Sequence, residues 1–313
     1  MQRVTAVVVT YNRCEMLQRC LAHLAAQTAP CDVLVVDNAS TDGTQQWLRE
    51  YCAAHPGVRV LRMQENTGGA GGFSAGIEES VKAGYDGAWI MDDDCLPQSD
   101  ALERLLEADR LLGGAEHYGL LSSAVLWTDG RECRMNRQKL RKRYYEYLEL
   151  LQHGLVQIEQ ATFVSLLIPA ATVRKVGLPI REFFIWGDDI EYTRRIAVRH
   201  GMPCFMAGAS RVVHAMEHNS GSSIAEDGPQ RIARYNYAYR NENYLYRMEG
   251  IRGFAYYTAK CAKNALMILL RAKDHRAARL AVIVRQYICG LFFNPKIAFP
   301  DGDGEKAAGR HEA

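Results

Sequence analysis

The chain has 313 residues, 48% of them hydrophobic and 24% charged. This allows one large α/β domain with an appendage, or two small domains, and excludes a largely disordered protein. The formal net charge is only +2, so the overall charge does not indicate a nucleic-acid-binding protein, and we expect no nucleic-acid partner.

The cysteines and the apolar segments bear on the compartment. The nine cysteines are scattered and none forms a CxxC pair, so neither a zinc ribbon nor a dithiol redox motif is indicated. Free thiols are typical of a reducing compartment. Residues 1–13 lack the apolar stretch of a signal peptide, and no window has the roughly 18 uninterrupted apolar residues of a spanning helix. We therefore expect a cytoplasmic protein that is soluble or peripherally bound to a membrane.

Strands alternate with helices in the first 63 residues. The apolar, β-branched runs 4–10, 33–36 and 58–63 predict strands of a parallel sheet that are buried on both faces. Residues 17–24 carry leucines at helical spacing, and residues 45–53 follow a turn that can cap a helix. This order predicts a doubly wound α/β sheet that binds its ligands at the carboxyl ends of the strands.

Polar residues follow each of these three strands. Thr10 ends the first strand, Asp37 and Asn38 follow the second, and Asn66 follows the third. Because the carboxyl ends of parallel strands meet at one edge of a sheet, these four side chains are candidates for ligand contacts. Polar strand ends are also ordinary in α/β proteins.

The glycine-rich segment 66–72, NTGGAGG, precedes a predicted helix at residues 73–83. Glycines such as Gly68 and Gly69 allow backbone N–H groups to approach a sugar or a diphosphate at the amino end of a helix. The segment matches neither GxGxxG nor a P-loop. A flexible turn is the alternative.

Three consecutive carboxylates, Asp92, Asp93 and Asp94, follow the apolar strand predicted at residues 88–91. Adjacent carboxylates repel one another, and a hard divalent cation compensates for that repulsion. In an extended turn Asp92 and Asp94 lie on the same face, so both can reach one ion. An exposed acidic turn or a helix cap is the alternative.

A second acidic pair, Asp188 and Asp189, follows Trp186 at a predicted strand-to-helix junction. One of these carboxylates can serve as the general base toward an acceptor hydroxyl, and the tryptophan offers an aromatic face to a sugar. Simple capping of the following helix is the alternative.

His214 ends a short strand predicted at residues 211–213. A neutral imidazole could complete a metal site begun by Asp92 and Asp94. His218 lies four residues later and is the competing ligand.

The segment 231–298 is predicted to be helical and is rich in aromatic and basic residues, and the polar residues 299–313 are predicted to be a disordered tail. Residues 280–291 repeat apolar side chains on one helical face, near several arginines and a lysine. Such a segment can lie on an anionic membrane, or it can pack on the catalytic domain or in a dimer. The oligomeric state stays open. The basic residues 131–143 are predicted to form a mobile loop or a solvated face.

Several motifs in order along residues 4–250 resemble family-2 inverting glycosyltransferases of GT-A fold. They are VVTYNR (8–13), VVDNASTDGT (35–44), ENTGGAGGF (65–73) and MDDD (91–94). The motif WGDDIEY (186–192), with His214 after it, is similar to the galactofuranosyltransferase branch.

The resemblance implies a role for each matching residue. The donor nucleotide sugar would be bound by Thr10, Asp37, Asn38, Asn66, Gly68, Gly69, Asp92 and Asp93. The metal ion, Mn²⁺ or Mg²⁺, would be held by Asp92, Asp94 and His214. Asp189 would be the catalytic base, assisted by Asp188, and the acceptor would be contacted by Trp186, Glu191 and His218.

The resemblance also implies the fold and the reaction. The expected fold is an α/β GT-A fold, a Rossmann-like and mostly parallel sheet with flanking helices, over residues 1–230, with a C-terminal helical extension. The expected reaction moves galactofuranose from UDP-galactofuranose to a hydroxyl of a lipid-linked or polysaccharide glycan. It would serve cell-surface polysaccharide synthesis at the inner face of the cytoplasmic membrane. A rhamnosyltransferase using dTDP-rhamnose, a nucleotidyltransferase and a non-catalytic sugar-nucleotide-binding protein are the alternatives.

Overall fold

The computed structural model describes residues 1–219 and 221–302. The strands are β1 Val4–Thr10, β2 Asp32–Asp37, β3 Val58–Arg62, β4 Gly87–Asp92, β5 Cys95–Pro97, β6 Leu120–Trp127, β7 Lys139–Leu140, β8 Leu155–Gln160, β9 Leu166–Pro169 and β10 Cys204–His214. The α-helices are α1 Cys14–Ala25, α2 Thr44–Ala54, α3 Gly68–Lys82, α4 Ala101–Leu111, α5 Leu148–Leu151, α6 Ala170–Val176, α7 Asp188–Arg194, α8 Tyr235–Met248, α9 Gly250–Arg271 and α10 Arg276–Phe292.

The strands form one mixed sheet in the order β3-β2-β1-β4-β9-β6-β10-β8-β7, and β5 pairs with β10 outside this path. β1 is parallel to β2 and β4, and β2 is parallel to β3. β9 lies antiparallel between β4 and β6, which separates this parallel half from the parallel pair β6 and β10. The predicted α/β fold is confirmed, and the predicted parallel pairing holds for the half that begins the chain.

The central strand β1 is buried along its whole length, as its continuous apolar sequence predicts. Val8 faces one core layer, which also contains Leu17 of α1. Val7 faces the other layer, which contains Ile77 of α3. Helices therefore cover both faces of the sheet, which leaves its strand ends as the accessible edge.

The glycine-rich segment belongs to a helix, because α3 begins at Gly68 and not at residue 73. The glycines are needed because α3 packs closely on β1. A Cβ atom on Gly72 would lie 2.6 Å from Cγ1 of Val9, and one on Gly76 would lie 2.4 Å from Cγ1 of Val7. These glycines allow the helix backbone to approach the strand, so the flexible-turn alternative is wrong.

The three C-terminal helices pack around a cluster of their own that includes Tyr239, Tyr257, Ile268 and Ile283. After α10 the chain returns to the α/β part of the fold, where N–H of Leu178 donates to the carbonyl of Ala298 at 2.8 Å. Of the tail predicted to be disordered, residues 303–313 lie outside the described residues. Among the helices of the described residues, none combines the length and the apolar character needed to cross a bilayer.

Candidate active site

A cavity of about 1040 Å³ lies between the carboxyl ends of β1 and β4 and the C-terminal helices α8 and α9. It brings together most of the residues predicted from the sequence. Those that line it are Thr10, Asn38, Asn66, Gly68, Gly69, Asp92, Asp93, Trp186, Asp188, Asp189 and His214. Tyr235 of α8 and Lys260 of α9 line the opposite wall, so the helical extension is part of the cavity. The domain division at residue 230 stays a prediction.

The first acidic cluster lies at the end of β4. Oγ1 of Thr10 donates to Oδ2 of Asp93 at 2.7 Å. Nη1 of Arg13 lies 2.9 Å from Oδ1 of Asp93 and 2.9 Å from Oδ2 of Asp94. Burial raises the pKa of Asp93 to about 7, although Arg13 opposes that shift. Burial and the charge of Asp94 also raise the pKa of Asp92 well above its usual value. Added positive charge would therefore stabilise the ionised form of these carboxylates.

His214 meets Asp94 beside this cluster. Nε2 of His214 lies 3.1 Å from Oδ1 of Asp94, but the contact does not have hydrogen-bond geometry, and Oδ1 is buried without a hydrogen-bond partner. Nδ1 of His214 donates to Oδ1 of Asn136 at 2.7 Å, and Nδ2 of Asn136 donates to Oγ1 of Thr162 at 2.8 Å. Asn136 thus fixes the imidazole with Nε2 toward Asp94.

Asn136 is a functional candidate that the sequence reasoning missed. It lies in a 3₁₀ helix, Arg134–Asn136, inside the basic segment that was predicted to be a mobile loop or a solvated face. Arg134 is exposed, as that prediction requires, whereas Asn136 and the neighbouring Cys133 are buried. No local pattern in the sequence distinguishes Asn136 from the other uncharged residues of this segment.

The donor atoms at this site suit a divalent cation. The carboxylates of Asp94 and of the half-buried Asp92 are ligand types that suit Mn²⁺. Asp92 faces the cavity, and the imidazole of His214 lies 3.1 Å from Oδ1 of Asp94. In the part of the chain that the structure describes, no three such side chains are grouped as a complete metal centre.

Two asparagines hold the start of α3. Nδ2 of Asn38 donates to Oδ1 of Asn66 at 3.1 Å and to the carbonyl of Gly68 at 2.9 Å. Gly68 has φ of +71°, and a Cβ there would lie 1.9 Å from the carbonyl oxygen of Phe184. A Cβ on Gly69 would meet only Phe73, at 4.0 Å. Gly69 is thus the glycine that leaves space for a ligand.

The second acidic cluster is carried by a strained loop that leads into α7. Phe184 and Trp186 have φ of +63° and +64°, and Gly187 has +88°. Burial raises the pKa of Asp189 to about 6. Burial and the charge of Asp189 raise the pKa of Asp188 to about 8. A carboxylate with a pKa near 6 is ionised at neutral pH and is a stronger base than a solvated one.

Trp186 forms part of an aromatic wall of the cavity. The ring of Tyr235 meets the edge of its ring at 5.0 Å between centroids, and the guanidinium of Arg231 lies 5.7 Å from it. Tyr237, also on the cavity wall, stacks on Phe184. Aromatic faces of this kind suit contact with a sugar ring.

Four predicted residues do not line the cavity. Glu191 is 1% exposed, and its two oxygens, Oε1 and Oε2, accept from the guanidinium of Arg195. Glu191 therefore faces Arg195 and not the cavity, and the acceptor contact predicted for it stays a prediction. His218 is exposed and lies beyond the end of β10, 3.8 Å from Glu217. His214, and not His218, is the histidine beside Asp94.

The other two lie behind the cavity surface. Asp94 is turned toward Arg13 and His214. Asp37 accepts from Nη1 of Arg62 at 2.6 Å and from N–H of Ser40 at 2.9 Å. It borders a smaller cavity of about 400 Å³ between α2 and β3. Both oxygens of Asp37 thus bind neighbouring residues, and its predicted contact with the donor stays a prediction.

Residues 5–110 match the family described as Glycosyl transferase family 2. The galactofuranosyltransferase GlfT1 of Mycobacterium tuberculosis is 31% identical over 264 residues, which cover 80% of this chain and 84% of the relative. The undecaprenyl-phosphate mannosyltransferase of Micrococcus luteus is 41% identical over 108 residues, which cover 34% of this chain and 44% of the relative.

Solved structures of glycosyltransferases share the fold. GalNAc-T7, crystallised with UDP, GalNAc and Mn²⁺, superposes with a TM-score of 0.66 at 14% identity and covers 93% of this chain and 56% of its own. TarS 1-349 of S. aureus in complex with UDP has a TM-score of 0.51 at 16% identity, and the match covers 91% of this chain and 70% of the TarS chain. The fold is therefore GT-A, and the chain is a glycosyltransferase that belongs to glycosyltransferase family 2.

Proposed function

We propose that the protein is an inverting galactofuranosyltransferase that moves galactofuranose from UDP-galactofuranose to a hydroxyl of a lipid-linked or polysaccharide glycan. The observation that carries this proposal is a single cavity that joins Asp188 and Asp189 of α7 to Asp92, the last residue of β4, and the following Asp93. Asp188 and Asp189 have the raised pKa values expected of a base. Asp92 and Asp93 lie at the strand ends where a nucleotide sugar would bind. The 31% identity to GlfT1 supports the choice of sugar.

The transfer is a single displacement at the anomeric carbon. The acceptor oxygen forms its bond to that carbon as the bond to the diphosphate oxygen breaks on the opposite face, which inverts the configuration. Asp189 receives the proton of the acceptor hydroxyl, and the electron pair of the broken bond leaves with UDP. Asp188 carries a proton beside it, because its pKa is raised to about 8, and this limits repulsion between the two side chains.

The donor would lie along the strand ends. Thr10 and Asp93 would bind the nucleoside or the donor sugar, while Asn38, Asn66 and Gly68 shape the floor beneath the diphosphate. Asp92, Asp94 and His214 would hold Mn²⁺ or Mg²⁺, which when bound supplies Lewis-acid stabilisation of the departing diphosphate. GalNAc-T7, which shares the fold, was crystallised with UDP and Mn²⁺, and this supports the assignment.

The acceptor would enter along the aromatic wall. Trp186 and Tyr237 offer ring faces next to Asp189. The name of the undecaprenyl-phosphate mannosyltransferase gives a lipid phosphate as its substrate, and this supports a lipid-linked acceptor.

We place the enzyme at the inner face of the cytoplasmic membrane. Large apolar side chains on the C-terminal helices are exposed, including Leu266, Leu269, Leu270, Val284, Ile288 and Phe292. Lys263 and Arg285 are exposed on the same helices, which suits an anionic lipid surface. Arg279 of α10 does not contribute to this surface, because it is buried and donates to the carbonyls of Ile224 and Asp227.

The deciding experiment measures UDP release from UDP-galactofuranose with Mn²⁺ and membrane-extracted lipid acceptors. UDP-galactopyranose, dTDP-rhamnose and GDP-mannose are compared in parallel. EDTA-sensitive turnover with the furanose donor alone is the expected result. Turnover with dTDP-rhamnose alone would be consistent with the proposed mechanism but would contradict galactofuranose as the transferred sugar. Donor binding by calorimetry without turnover would favour a non-catalytic binding protein.

A further inference from the structure

One side chain of the C-terminal extension reaches the loop that carries the catalytic base. Asn241 of α8 is fully buried. Its Nδ2 donates to the carbonyl of Phe183 at 2.9 Å and to that of Trp186 at 2.8 Å, with a longer contact of 3.3 Å to Ile185. Three carbonyls of one short loop therefore contact a single amide.

The orientation of this amide is fixed from both sides. Oδ1 of Asn241 accepts from Nε of Arg240 at 3.0 Å and from its Nη2 at 2.9 Å. A flipped amide would direct its oxygen at carbonyls and its N–H groups at a guanidinium, so only one orientation satisfies the partners.

The loop needs such support because its backbone is strained. Phe184 and Trp186 both have positive φ, which costs free energy for residues with a side chain and persists only where the surroundings enforce it. On its other side the loop contacts α3, since N–H of Ala70 donates to the carbonyl of Phe184 at 3.1 Å. The loop is thus clamped between the helix at the donor site and the helical extension.

We propose that Asn241 is a positioning residue for the reaction, through which the C-terminal extension fixes Trp186 and Asp189 relative to the donor. The proposal rests on the proposed function, because it takes Asp189 as the base. Asn241 does not touch the substrates. It holds the carbonyls of the loop so that α7, which begins at Asp188, presents Asp189 to the cavity.

The same helix offers a matched control. Asn243 is also fully buried, and its Nδ2 donates to the carbonyl of Tyr287 at 2.7 Å. This bond joins α8 to α10 and does not involve the loop. Removing either amide therefore takes one buried asparagine from α8, but only one of the two changes releases the loop.

The test compares Asn241→Ala, Asn241→Asp and Asn243→Ala in the full chain. We expect all three to lower the melting temperature. Displacement of catalytic groups by about 1 Å can cost ~10²-fold, so kcat per UDP-binding site should fall by about that factor in both Asn241 variants and stay near wild type in Asn243→Ala. UDP affinity should be unchanged in all three. Asn241→Asp keeps the size but loses the donors, so it should not rescue activity.

Amide hydrogen exchange supplies a readout that does not need turnover. Peptides covering residues 183–190 should exchange faster in the Asn241 variants than in Asn243→Ala. Equal kcat per binding site and equal exchange in the Asn241 and Asn243 variants would overturn the proposal. If the wild-type protein transfers no sugar, the proposed function fails, and the exchange of this loop still decides whether Asn241 holds it.

Discussion

His214 and Asp94 meet across two strands, with Nε2 of the imidazole 3.1 Å from Oδ1 of the carboxylate. They come together because His214 ends β10 and pairs in register with Cys95, the residue after Asp94. This antiparallel pairing with the short strand β5 connects the two halves of the sheet at the cavity. Because of this pairing, His214 and not His218 lies beside the acidic cluster.

We expect His214→Ala to abolish most Mn²⁺ binding, because it removes the imidazole beside the unpaired oxygen of Asp94. His218→Ala is the matched control, since His218 is exposed and away from the cluster. Electron paramagnetic resonance of free Mn²⁺ measures both affinities with UDP present. Equal affinities of the two variants would remove His214 from the site.

Asn136→Leu should weaken Mn²⁺ binding by about 10–100-fold, the usual effect of losing a partner that orients a metal-ligating histidine. The leucine cannot accept the proton of Nδ1. Asn136→Asp keeps an acceptor at that position and should retain more affinity than the leucine variant. The same resonance titration measures this, and a reversed order of the two variants would contradict the orienting role.

Asp189→Asn should lower kcat by ~10²–10⁴-fold, the usual contribution of a general base. UDP affinity should be retained, because the base acts on the acceptor hydroxyl. Asp129→Asn, at an exposed turn outside the cavity, is the control for the loss of one carboxylate. Steady-state kinetics and UDP calorimetry measure the two effects. Normal turnover of Asp189→Asn would show that another group is the base.

The activity should fall on the acid side with a midpoint near pH 6. Burial raises the pKa of Asp189 to about 6, so the carboxylate is protonated below that pH and cannot accept the hydroxyl proton. Above it the base is ionised and the rate reaches a plateau. A profile of kcat/KM against pH checks the direction, and a rate that rises as the pH falls would contradict it.

Gly72→Ala should destabilise the protein by about 1–3 kcal/mol, the usual effect of overpacking a core. Its Cβ would lie 2.6 Å from Cγ1 of Val9. Gly69→Ala in the same helix meets only Phe73 at 4.0 Å and should keep its stability while weakening donor binding. Urea unfolding and UDP calorimetry separate the two effects. Equal loss of stability in both variants would argue against the packing explanation.

The site could be predicted in part because its chemistry is concentrated in short segments. Asp92 and Asp93 directly follow an apolar strand, and Asp188 and Asp189 begin a helix, so local patterns find them. Glu191 belongs to the same motif but faces Arg195, because it lies two residues after Asp189 and is therefore rotated by about 200° around the helix axis from that side chain. A motif alone does not tell which of its carboxylates faces the cavity.

The sequence by itself determined the strand and helix order of the first half, the two acidic clusters and the family, since these depend on neighbouring residues. Only the tertiary structure decided which distant side chains meet. Asn136 reaches His214, and Asn241 reaches the loop of Trp186, through contacts between residues far apart in the chain. Such contacts depend on how strands pair and how helices pack, and neither residue carries a local pattern that distinguishes it from other asparagines.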